Sequence, residues 1–132
     1  MATENSKGFE IALDTTRHIL QVSAWGFWDA EFVKKYNSAF TEKVEELRAN
    51  GEEWYALMDL TGFYPRSAEV QHILREQITS AKKQGLKKLV YLGERSVVQL
   101  QLNRLFLASE IQQYAVAESE EEAFQWLLNE SL

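Results

Sequence analysis

Two apolar runs constrain this chain more than any other feature. They are "WYALMDL" at positions 54–60 and "KKLVYLG" at 87–93. A strand with one wet face alternates polar and apolar residues, and neither run does. Near-continuous apolar strands suit a sheet covered on both faces, the usual state of parallel strands joined by crossover helices. Such a helix is written between them. Val70, Ile73, Leu74, Ile78 and Ala81 recur at helical spacing, and Gly85 stops the pattern.

The flanking segments extend this plan. "FEIALD" and "HILQVSAW", separated by "TTR", read as an antiparallel hairpin. "GFWDAEF" changes the period. Asp29 is placed to cap a helix, with Trp28 before it as a staple onto Val33. Phe32, Tyr36, Phe40, Val44 and Leu47 form that helix's apolar face, which ends near Asn50 and Gly51. Ser96 and Gln99 open a third helix with a capping-box spacing. "QQYAVA" is a last short strand, and Ser119 and Glu122 open the closing helix "EEEAFQWLLNE". The expected order is β-β-α-β-α-β-α-β-α. This is an α/β fold of about five mostly parallel strands with an N-terminal antiparallel hairpin and four helices. Residues 1–8 read as a flexible tail and 9–132 as a single domain.

Composition removes several classes of function. Cysteine is absent, so there is no disulfide framework or thiolate metal site. The net charge of −6 opposes a nucleic-acid binder, which needs a basic face. No run approaches the ~20 apolar residues of a membrane span, so stable membrane insertion is not expected. The opening "MATENSKG" has no apolar signal segment, and a cytoplasmic location is expected. His18 and His72 fall on different elements, with no nucleophile–base spacing and no metal or phosphate motif around them. No cofactor, metal or catalytic residue is assigned, and the chain is not expected to be an enzyme.

The element order, with "GFWDAEF" at the hairpin exit and "DLTGF" at the end of the third strand, resembles the STAS family, the anti-sigma-factor antagonist fold. It is most similar to the SpoIIAA-like branch, whose fold is related to CRAL-TRIO lipid-binding domains. The resemblance runs from about Phe9 to Leu128. It implies a bacterial regulatory or ligand-binding module rather than a reaction. STAS antagonists carry an Asp-Ser-Ser-Gly signature, whose serine is phosphorylated, at the start of the second helix. Here the equivalent stretch is "YPRSAEV", in which Ser67 stands without the aspartate or the glycine.

The stretch "DLTGFYPRS" is the principal candidate site. Ligands in open α/β sheets bind at the carboxyl edge of the strands, and Asp59, Thr61, Tyr64, Arg66 and Ser67 cluster there. Asp59 and Ser67 also have plainer roles, and Pro65 lies between them. Asp59 can hold the turn, Pro65 can stiffen it, and Ser67 can cap the helix. As a phosphoacceptor, Ser67 would place phosphate at a helix N-terminus beside Arg66. The Ser96 helix supplies a second candidate. Val98, Leu102 and Leu105 form its core face, while Leu100 and Leu107, with Arg104 between them, form another stripe. That stripe is either buried by neighbours or is a surface for a partner protein, a second copy in a homodimer, or a lipid or other small apolar ligand. Trp25, Phe27 and Trp28 add aromatic surface at the hairpin exit. The expected function is non-catalytic binding of a partner or a small apolar or anionic ligand. The alternative is a lipid carrier with a pocket between the Ser96 helix and the sheet. An uncharacterised enzyme is the third reading.

Overall fold

The computed structural model describes residues 7–49, 51, 53–64, 67–93, 104 and 114–128. Its strands are β1 (Gly8–Asp14), β2 (Ile19–Phe27), β3 (Trp54–Asp59), β4 (Phe63–Tyr64), β5 (Leu86–Leu92) and β6 (Tyr114–Ala117). Three helices are described: α1 (Ala30–Arg48), α2 (Ala68–Lys83) and α3 (Glu120–Leu128). The fold is mixed α/β with a mostly parallel sheet. The expected Ser96 helix lies outside the described residues except for Arg104, which is helical and exposed.

The sheet runs β1-β2-β3-β5-β6, with β4 paired to β2 off this path. Among the described strands only β1–β2 is antiparallel; β2–β3, β2–β4, β3–β5 and β5–β6 are parallel. The β2–β3 and β3–β5 crossovers therefore step the same way, which puts same-handed connections on one face. Accordingly, α1 and α2 lie side by side. Helix α3 covers the other face, where Ala123 and Leu127 meet Ile19, Leu57, Val90 and Ala117. That division explains the apolar runs. In β3, Ala56 and Met58 face α1 and α2 while Leu57 faces α3. In β5, Leu89 and Tyr91 likewise oppose Val90.

Local signals in the sequence set the helix starts. The Asp29 carboxylate accepts from Phe32 N–H at 2.9 Å, and Trp28 is buried just before it. Trp28 sits among aromatic rings, edge-on to Phe9, Phe32 and Phe63 and tilted against Tyr36. Helix α1 buries Val33 rather than Phe32, which stays half-buried. Ser119 Oγ accepts from Glu122 N–H at 3.1 Å, while the Glu122 carboxylate accepts from Glu118 N–H at 2.7 Å, one residue before the cap.

Three expectations are corrected. The strand begins at Gly8, inside the expected tail, and Lys7 lies 3.8 Å from Asp29. His18 does not open the second strand. It ends the turn at φ 60°, with Nδ1 at 3.2 Å from the Glu53 carbonyl. The sheet also has a sixth strand, β4, inside what reads as a loop. It escapes the sequence pattern because two residues carry no period.

Burial fixes the state of two phenols. Desolvation pushes Tyr36 well above its ordinary range. Burial, then neighbouring Tyr114, pushes Tyr91 up to about 12. Both are neutral in the fold, whereas an unfolded tyrosine ionises near pH ~10. Their contribution to stability is complete below that pH and is lost as pH rises towards the folded values. Denaturant unfolding followed by circular dichroism is therefore expected to show stability falling from about pH 10 to 12. Tyr91→Phe should flatten part of that fall.

Candidate functional site

The stretch after β3 is built, not merely spanned. Leu60 N–H donates to the Leu92 carbonyl at 2.8 Å, which extends the β3–β5 ladder by one bond. The chain then turns, and Phe63 N–H returns to the Leu60 carbonyl at 3.1 Å. Gly62, third in that turn, has φ 76°, a conformation costing an L-residue ~1–2 kcal/mol. A side chain there would meet open space, so backbone strain alone favours glycine. The Asp59 carboxylate accepts from Thr61 N–H at 3.1 Å and holds the turn from inside.

β4 then docks on the end of β2. Gly26 pairs with Phe63 and Phe27 with Tyr64, and Gly26 N–H donates to the Gly62 carbonyl at 2.8 Å. The two side chains of β4 part. Phe63 is buried against Trp28, with ring centres 4.7 Å apart. Tyr64 turns outward and stacks on Phe27 at 4.7 Å with planes 19° apart. Phe27 is 50% exposed, the most open large apolar side chain described. A two-ring shelf thus stands at the carboxyl edge of the sheet, its backbone locked to a neighbouring strand.

Ser67 is the N-cap of α2. Its Oγ accepts from Glu69 N–H at 3.1 Å and from Val70 N–H at 3.4 Å. These are the amides an incoming anion would use, so an anion must displace the cap, and Glu69 opposes it by charge. Asp59, Thr61, Tyr64 and Ser67 are thereby placed along one edge. Pro65 and Arg66 lie outside the described residues, as do Leu100 and Leu107 and the pocket expected beside them. Arg104 is exposed.

A second feature has no counterpart in the sequence reading. A cleft of about 300 Å³ separates α1 from α2, with Asn37, Thr41, Ile73, Gln77 and Ser80 among its walls. Gln77 is 6% exposed and donates Nε2–H to the Asn37 carboxamide oxygen at 2.8 Å. The signal was present: Gln77 interrupts the apolar face three residues after Leu74 and one before Ile78. It is a polar residue at a core position, which must find a partner.

Among the described residues, no three His, Asp or Glu gather closely enough to hold a metal ion, and no helix is long and apolar enough to cross a membrane. The cap makes a direct prediction. Ser67→Ala should cost ~1 kcal/mol of stability and Ser67→Gly only a few tenths, read from urea unfolding midpoints. No protein-family model matches the chain, and no curated protein matches it.

Proposed function

We propose that this chain is a non-catalytic binding module of STAS-like fold that uses the edge formed by β4, the end of β2 and the start of α2. The observation that carries the reading is the Phe27–Tyr64 stack. A half-exposed ring is common, but one held by a dedicated two-residue strand is positioned, and rigid aromatic surface binds at low entropic cost. The occupant is a partner protein or a small ligand with a flat apolar part and an anionic end. The apolar part would cover Phe27, and the anion would lie towards the α2 entrance. The STAS resemblance supports the same edge, because that family uses the start of its second helix. A phosphoswitch at Ser67 is not part of the proposal, since its hydroxyl already serves the helix amides and the family signature is absent.

A second reading rests on the α1–α2 cleft, where the Gln77–Asn37 pair offers polar groups to a small ligand. The two are separable by amide NMR. Titration with aromatic carboxylates and extended peptides is expected to move Gly26, Phe27, Phe63, Tyr64, Glu69 and Val70. Phe27→Ala should abolish those shifts while costing less than the ~3–5 kcal/mol of a buried phenylalanine. Shifts confined to residues 37–44 and 72–81 would select the cleft. A panel that moves neither set overturns both readings.

A further inference from the structure

The sheet's hydrogen-bond phase shows which backbone groups of β1 point away from the sheet. His18 C=O accepts from Tyr55 N–H, and Gly26 N–H donates to Gly62 C=O. Even-numbered residues of β2 thus face β3 and β4, and odd-numbered ones face β1. The β1–β2 register pairs Gly8 with Trp25, Glu10 with Ser23 and Ala12 with Gln21. Gly8, Glu10, Ala12 and Asp14 consequently spend their backbone groups on β2. Phe9, Ile11 and Leu13 present theirs at the outer edge, where no described residue pairs with β1 besides β2.

Among the described residues, that edge lacks several of the usual protections against pairing. It has no proline, lysine or bulge within Gly8–Asp14, and its register is unbroken. Its three outward-bonding residues are also its three large apolar ones, and each is only partly buried against the main core. We propose that β1 is a self-association edge, joining a second copy of this chain antiparallel across a twofold axis through Ile11.

The register follows from symmetry. Antiparallel strands related by a twofold keep each sheet face continuous, so opposed residues must share a face. Centring on Ile11 pairs Ile11 with its own copy and Phe9 with Leu13. All three positions are then hydrogen-bonded and apolar on the α1 side. On the other face Glu10 opposes Ala12, so the two acidic copies are kept diagonal rather than directly opposite. Helix spacing agrees. Strands lie ~4.8 Å apart, and α1 packs over β1 and β2, so α1 and its mate would come ~10 Å apart, an ordinary helix-packing distance. The flank of α1 nearest this edge carries Phe32, which packs on Phe9 at 5.8 Å, and Ala39 two turns on. Both are half-buried.

Ala12 provides the test, because it is exposed in a single chain and faces Glu10 only in this dimer. Sedimentation velocity across a concentration series is expected to show a dimer for the unmodified full chain. Ala12→Glu, which sets carboxylates directly opposite on both sides of the axis, should raise the dissociation constant about tenfold. Ala12→Lys, which sets opposite charges there, should lower it. Thermal unfolding at high dilution checks that both variants fold. A chain that stays monomeric at millimolar concentration overturns the proposal. So does a dimer that ignores both changes, or one weakened equally by both. The ligand-binding behaviour proposed for the α2 edge does not enter these outcomes.

Discussion

Everything in this fold hangs on burying β3 and β5 from both sides. Their backbones carry polar groups that water cannot reach, so each strand must pair along its full length on both flanks. A parallel partner must be reached by a crossover, and the crossover helix is what covers the strand. One requirement thus supplies both the sheet order and the placement of α1 and α2. The second face is closed differently. α3 needs only Ala123 and Leu127 to seat on Leu57, Val90 and Ile19. Arg17 lies over Phe124 at 4.4 Å and Lys88 over Trp126 at 5.4 Å, so cations from the sheet and its turn cover the rings at its rim.

What was legible in the sequence follows the reach of each signal. The apolar runs gave β3 and β5 because burial on both faces leaves a continuous mark. Asp29, Ser67 and Ser119 gave helix starts because a cap acts within three residues. β4 was not legible. Its existence depends on Gly26 and Phe27, far away in the chain, and two residues hold no periodicity. The placement of His18 was missed for a similar reason. Its positive φ belongs to a turn closed by Asp14, whose carboxylate accepts from the backbone and side chain of Arg17, a pairing that also holds the Asp14 carboxyl below its usual range. Gln77 is not legible from apolar periodicity, because it is a polar residue within the buried face of α2.

The candidate edge shows how one residue can serve structure and leave the exposed surface to its neighbour. Asp59 and Ser67 are the polar residues that draw attention in the sequence. In the fold each spends an oxygen on nearby backbone N–H groups. The aromatic residues between hairpin and loop, less conspicuous in sequence, carry the exposed chemistry. A polar side chain at a turn is first a substitute for missing backbone partners. What remains exposed is the surface that those substitutions hold still.

The pairing of β4 with β2 also ties separate segments of the chain together. Releasing Phe63 from its place breaks the Gly26–Gly62 hydrogen bond and uncovers Trp28, whose indole N–H donates to the Trp25 carbonyl at 2.9 Å. Trp28 in turn seats the first turn of α1 through Phe32 and Tyr36. The loop after β3 is distant in sequence from the hairpin exit and the start of α1. The contacts join them into one local unit, in which opening the β4 loop removes the support under the first turn of α1.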